Sequence, residues 1–174
     1  PDFDGFFAPD RAKEIALTMY DDGADIVYHA AGGSGAGVFE AAKEFSEASG
    51  SKVWGIGVDS DQYNTLDAAV QEYVLTSMLK RVDNAVYEIT QAANDGTAEV
   101  GNVVYDLATD GVGYSTSGGF VDDIADQLTA MVTDVAAVGG VVTLTYDGAG
   151  RLATRTDTDT GVTTYQYDSL NRLT

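Results

Sequence analysis

Apolar residues first recur at helical spacing: Ala12, Ile15, Ala16, Met19 and Tyr20 fall on one face, which predicts an amphipathic helix. Asp10 is placed to cap its start and Gly23 to close its end. The period then changes. Asp25 to Ala31 is a short apolar run bounded by glycine, the pattern of a buried strand. A glycine loop, Gly32-Gly-Ser-Gly-Ala-Gly37, leads into a helix over Val38 to Ser46, and Lys52 to Val58 reads as a second buried strand ending at Asp59. After a polar loop over 60–68, Val74 to Leu79 predicts another strand, and Lys80 opens a helix that carries Val82, Ala85, Val86 and Ile89 and ends near Gly96. Val103 to Leu107 is a strand candidate, and the Asp110-Gly111 turn signal before Val112 to Tyr114 makes a hairpin the expectation there. Asp122 can cap a last helix holding Ile124, Leu128, Met131, Val132 and Val135. Strand and helix in alternation favour an α/β class, a parallel sheet flanked by helices.

At Gly139-Gly140 the helix formers give way to Thr, Tyr and Asp, which divides the chain into 1–138 and 139–174. The second part repeats itself. Leu144 to Leu152 aligns with Tyr165 to Leu173, placing Tyr146 and Tyr167, and Arg151 and Arg172, one repeat apart. Turns at Gly148 to Gly150 and Asp159 to Gly161 predict a short β-hairpin tail. Two copies are too few to bury a stacked core of their own.

Charge and composition then narrow the function. The chain has 174 residues, 44% of them hydrophobic, enough for a packed core. Nine Lys and Arg stand against 28 Asp and Glu, a net charge of −19. Nucleic acid is excluded as a partner, because binding it requires clustered cations to replace the phosphates' counterions, and only Lys80 and Arg81 are adjacent. Anionic lipid is disfavoured for the same reason, and so acidic a surface suits a protein kept soluble in high salt. The absence of cysteine removes disulfides, thiolate metal sites and cysteine nucleophiles. No apolar run reaches the roughly 18 residues of a spanning helix. The chain begins at Pro1 rather than Met, which reads as a processed form or a fragment.

The glycine loop is the first candidate for chemistry. A loop leaving a parallel strand for a helix start presents backbone N–H groups at the carboxyl edge of the sheet, where open α/β sheets bind ligands. It carries neither the third glycine of a dinucleotide fingerprint, Val38 standing in that place, nor the Lys-Ser/Thr of a phosphate loop. A polar neutral ligand fits better; the alternative is a tight turn that packs helix on sheet. Asp59 ends the next strand, and its carboxylate can accept two hydroxyl hydrogen bonds from a ribose diol; alternatively it turns the following loop. Lys80, at the edge of the third strand, can donate to a sugar oxygen or pair with Asp59, or be an ordinary surface lysine. Phe6 and Phe7 can stack on a planar base, with one of the two expected in the core. Catalysis finds little support. Gly32-x-Ser34-x-Ala36 nearly matches a nucleophile elbow, but the one histidine, His29, precedes the serine. His29 is expected as a satisfied structural residue. Asp157-x-Asp159-x-Gly161 lacks the third ligand of a calcium loop and has Val162 where that loop needs glycine. No cofactor and no metal are expected.

Four stretches together resemble a known family: Phe7 to Lys13, Gly23 to Ala42, Gly57 to Gln62, and Leu75 to Asp83. In order and spacing they are similar to the basic membrane protein family, the substrate-binding lipoproteins of ABC transporters, many of which bind purine nucleosides. Gly111 to Ser115 resembles the C-terminal end of that family. The resemblance covers residues 1 to 137. It implies one lobe of a periplasmic-binding-protein-like fold of two α/β lobes around a cleft, here the second lobe, with the first lobe and its lipidation cysteine outside this chain. It places base stacking on Phe6 or Phe7, backbone contacts at Gly32, Gly33 and Ser34, a ribose carboxylate on Asp59 and a ribose-contacting lysine on Lys80. It implies a nucleoside ligand, an ABC permease as partner of the full-length protein, and a lipid-anchored location outside the membrane. The tail, residues 141 to 174, resembles the YD repeat of Rhs-type surface and toxin proteins, which winds into a large β shell when present in many copies. The competing expectation is a structural surface protein that self-associates through the tail's strand edges. A small hydrolase or reductase is a weaker third.

Overall fold

The computed structural model describes residues 3–98, 100–138, 143–146, 152–157 and 161–164. The apolar runs pair side by side, but the first is not the fully buried strand expected: at the sheet edge only Val27 is buried, while Ile26 and Tyr28 are about half exposed. Strands β1 (Ile26–Tyr28), β2 (Trp54–Asp59) and β3 (Val74–Lys80) are parallel neighbours, and β4 (Val112–Tyr114) adds to β3 antiparallel, giving the order β1-β2-β3-β4. Ile26 lies opposite Trp54, Val58 opposite Met78, and Lys80 opposite Val112. The fold is thus α/β, with a four-stranded, mostly parallel sheet flanked by helices.

Helix α1 (Pro9–Asp21) begins on a proline, whose fixed φ and missing N–H suit a helix's first position. Asp10 therefore lies inside the first turn and is not the cap. The cap position is Ala8, which has no side chain to offer. Helix α2 (Ala36–Ser49) packs on α1 and on β2, and Gly50 closes it at φ 73°. Gly37 lets the two helices meet, because a Cβ there would collide with the Pro9 carbonyl. One apolar cluster gathers Ala16, Tyr20, Val27, Val38, Ala41, Ala42, Val53 and Tyr73. The Tyr20 hydroxyl donates to the Trp54 carbonyl at 3.0 Å, so this core tyrosine keeps a polar partner. A second cluster sets Phe39, fully buried, on Val70 of the short helix α3 (Ala68–Gln71) and on Val74.

Two local readings change. Lys80 ends β3, and the following helix, α4, spans Val82–Asp95 and closes at Gly96 with φ 70°. Residues 103–107 form no strand. The apolar pattern there is short, and β3 offers its free edge to β4 instead, so the turn at Asp110-Gly111 feeds a pairing with β3 and not a hairpin with 103–107.

By contacts the chain forms two units, Pro1–Ala125 and Asp126–Thr174. The second includes nearly all of helix α5 (Ala125–Val138) and a three-stranded antiparallel sheet of β5 (Thr143–Tyr146), β6 (Leu152–Asp157) and β7 (Gly161–Thr164), in that order. The second repeat copy, Tyr165 to Leu173, the turn expected at Gly148 to Gly150, and Asp159 and Thr160 of the turn expected at Asp159 to Gly161 lie outside the described residues, while Gly161 opens β7.

Candidate functional site

Parallel strands put their carboxyl ends on one edge of the sheet, and the loops that leave them share that rim. Beyond β1 the chain turns through Gly32–Gly35, one 3-10 turn, directly into α2. Each glycine has its own reason. Gly32 sits at φ 52°, in the left-handed region. A Cβ on Gly33 would press to 3.1 Å from the Phe6 carbonyl. A Cβ on Gly35 would collide with the His29 ring.

The residues before α1 fold over this loop. Phe6 ends a short 3-10 turn (Phe3–Phe6), and its Cδ1 would be 3.2 Å from a Cβ on Gly32, while Phe7 Cδ1 would be 3.8 Å from one on Gly33. Neither ring is in the core: Phe6 is 54% exposed and Phe7 81%. This corrects the expectation that one would be buried. The segment enters the fold beside the loop, with Phe6 and Phe7 each bringing one ring edge near the glycines and leaving most of the ring exposed.

Ser34 is buried, and its hydroxyl accepts the Ala8 N–H at 2.8 Å. Its own N–H donates to the Ala31 carbonyl at 3.1 Å. The serine thus ties the entry segment to the loop and presents no exposed nucleophile. Gly32 and Gly33, ahead of that first closing bond, are left as the backbone donors at the loop's mouth.

Asp59 and Lys80 end β2 and β3, and their side chains meet, Lys80 Nζ to Asp59 Oδ1 at 2.5 Å. Both are about half exposed. The Asp59 hydrogen bond, and then its charge, raise the Lys80 ammonium pKa above the usual lysine value, with a smaller contribution from Tyr28 at the end of β1. Asp59 is one of the few non-glycine residues with positive φ, at 72°. The Ser60 N–H donates to the Val58 carbonyl at 2.9 Å across it. That is a γ-turn of the rarer positive-φ kind, a conformation that costs on the order of 1–3 kcal/mol and must be held by its surroundings.

The loop at 32–35, Asp59, Lys80 and the two phenylalanines therefore stand at one edge of the sheet. Tyr28, 51% exposed beside them, is not singled out by the sequence pattern; an aromatic within the apolar run that leads to the glycine loop is the available signal. His29 departs from expectation. It is buried and edge-on to Phe39 at 5.4 Å, yet neither ring nitrogen has a hydrogen-bond partner among the described residues. Burial holds its pKa below the usual histidine value. An apolar cavity of about 370 Å³ runs along α1 and the outer edge of β1, between Ala12, Ile15, Met19, Val27 and His29. Of the predicted site residues it touches Ser34 alone. No group of three or more potential metal ligands converges among the described residues.

The glycine loop, the carboxylate–ammonium pair and the exposed aromatics lie along the carboxyl rim of the parallel sheet. Residues 2–136 match the family model described as ABC transporter substrate-binding protein PnrA-like, and the chain belongs to that family. It is similar to the CD4+ T-cell-stimulating antigen of Listeria monocytogenes, 38% identical over 136 residues, 74% of this chain and 37% of that protein. It is also similar to the ABC transporter nucleoside-binding protein BmpA of Lactococcus lactis, 36% identical over 142 residues, 77% of this chain and 40% of that protein. A crystal structure of an ABC transporter solute-binding protein from Aeropyrum pernix superposes with a TM-score of 0.50 at 28% identity, covering 74% of this chain and 36% of that one. The chain spans about two fifths of the length of the curated relatives named here. Residues 146–174 match the RHS Repeat model. Among the described residues no helix is long and apolar enough to cross a membrane.

Proposed function

We propose that residues 1–138 form one wall of a cleft that binds a neutral, sugar-bearing ligand, a purine nucleoside, without transforming it, and that the full-length protein delivers this ligand to an ABC permease from outside the membrane. The observation that carries the reading is the Asp59–Lys80 pair beside the glycine loop. A carboxylate and an ammonium held together offer acceptors and donors to vicinal hydroxyls while cancelling each other's charge. Phe6 and Phe7, more than half exposed, supply faces for a base. A chain of net charge −19 disfavours a phosphate on the ligand, so nucleosides are preferred to nucleotides. Affinity in such proteins comes from two walls closing and excluding water. One wall alone binds weakly.

The test is a titration of this chain with adenosine, inosine and guanosine, followed by amide NMR. Weak binding is expected, with shifts confined to Gly32, Gly33, Asp59, Lys80 and their neighbours, and with a smaller response to AMP. Shifts confined to other surfaces, or none at saturating nucleoside, would overturn the proposal. Tight binding by this chain alone would contradict the half-cleft argument.

A further inference from the structure

Gln62 lies three residues past the Asp59 turn, and its side chain folds back beneath it. Its Oε1 accepts the Val58 N–H at 2.9 Å, and its own backbone N–H donates to Ser77 Oγ at 3.1 Å. Ser77 is fully buried in β3. The need for this acceptor follows from the ladder. The His29 N–H reaches the Ile56 carbonyl, so Ile56 faces β1, and Val58, two residues on, faces the same side. By then β1 has ended, at Tyr28. Val58 would carry a buried N–H with no strand to receive it, and Gln62 supplies the missing carbonyl. Gly57 makes room: a Cβ there would be 2.5 Å from Gln62 Oε1 and 2.6 Å from Ser77 Oγ. The residue so clamped, Val58, is also the first residue of the γ-turn, whose carbonyl takes the Ser60 N–H at 2.9 Å.

We propose that Gln62 is a positioning residue: its side-chain carbonyl, closed on the Val58 N–H and anchored through Ser77, holds the strained turn that presents the Asp59 carboxylate to Lys80 and to the ligand. This rests on the nucleoside-binding reading for its ligand but not for its geometry. Strain at a rim residue persists only when neighbours over-determine it, and Gln62 fixes the turn from both sides, through Val58 and through β3.

The experiment compares wild type with Gln62→Ala, Gln62→Glu and Asp59→Gly. Two quantities are read: the Lys80 side-chain titration by NMR, and inosine affinity from rim shifts. Gln62→Ala is expected to move the Lys80 titration down toward that of a free lysine and to weaken inosine on the order of tenfold, the effect of one lost buried hydrogen bond. Gln62→Glu, which keeps an acceptor at the same reach, restores most of the Lys80 shift. Asp59→Gly relieves the positive φ, so it unfolds near the wild-type temperature while losing most of the Lys80 shift. A Gln62→Ala protein that is merely less stable, with Lys80 titration and inosine affinity unchanged, would overturn the proposal. If wild type binds no inosine, the functional reading falls alone, because the Lys80 titration still decides whether Gln62 holds the turn.

Discussion

Helices α2 and α4 are each 14 residues long, both amphipathic and both closed by a glycine in the left-handed region. They differ in what covers them. Helix α2 buries Val38, Phe39, Ala41 and Ala42 against α1 and the sheet, whereas α4 has no buried residue. Its apolar stripe stands in the open, with Val82 62%, Val86 60% and Ile89 52% exposed. Polar contacts at its start, such as Arg81 to Asp83 and Asn84 to the Asp110 carbonyl at 2.9 Å, hold its first turn in place. A periodic pattern therefore declares a face but not its partner. Helix α2 follows a loop between two adjacent parallel strands and must fall back on the sheet, while α4 follows the last parallel strand and has no further one to cross to.

The largest expected difference sits in this comparison. Phe39→Ala empties a fully buried site beside Gly55, whose Cβ position is already 2.7 Å from the ring, and should cost about 3–5 kcal/mol in urea unfolding. Ile89→Ala removes a half-exposed side chain and should stay within about 0.5 kcal/mol. Comparable losses from the two would show that α4 is covered in solution, by a second copy or by its own chain, and that the contrast between the helices is false.

A middle-sized effect separates the sheet's interior from its rim by pH. His29 is buried, with no hydrogen-bond partner on either ring nitrogen among the described residues, and burial lowers its pKa from the ordinary 6.5, opposed in part by the neighbouring Gln62 side chain and then by the Asp59 charge. Above 6.5 the ring is neutral in both folded and unfolded chains and contributes nothing to pH dependence. As pH falls below that value the unfolded chain takes up a proton that the folded chain refuses, so stability falls until the lower, folded pKa is reached. Carboxylates titrate mostly below this window. Unfolding midpoints should therefore drop as pH is lowered from 6.5, and His29→Gln should flatten that slope. An unchanged slope in the variant would place the titrating group elsewhere.

What the residues disclosed in advance divides along the same line. The existence of β1, β2, β3 and α2 was legible because apolar runs between glycines leave few alternatives, but the burial expected of the first run was not met, since β1 lies at the sheet edge with Ile26 and Tyr28 about half exposed. The convergence of the glycine loop, Asp59 and Lys80 on one rim followed from parallel pairing alone, since each ends or follows a strand. Other features were not legible, among them three set by neighbours. Asp10 looked like a cap, but Pro9 fits a helix's first position and moved the start back. Residues 103–107 carried a strand-like pattern, but β3 had already taken β4 as its antiparallel neighbour. The role of Gln62 was invisible because it depends on β1 ending before β2 does, a difference in strand length that no periodicity records.

The smallest effect on stability should come from the pair proposed to meet the ligand. Lys80 and Asp59 are both about half exposed, and water screens an exposed ion pair so well that most contribute little to folding. Lys80→Gln should leave the thermal midpoint nearly where it was. Inosine-induced shifts at Gly32 and Gly33 should nonetheless weaken, because on the proposed reading the variant lacks the ammonium that would donate to a sugar oxygen and leaves the Asp59 carboxylate uncompensated. Nucleotide binding should weaken further still, since removing one cation deepens the negative potential of the rim. A large fall in midpoint with unaltered inosine shifts would reverse this assignment. It would make the pair a brace between β2 and β3, and leave the glycine loop and the two phenylalanines as the whole of the site.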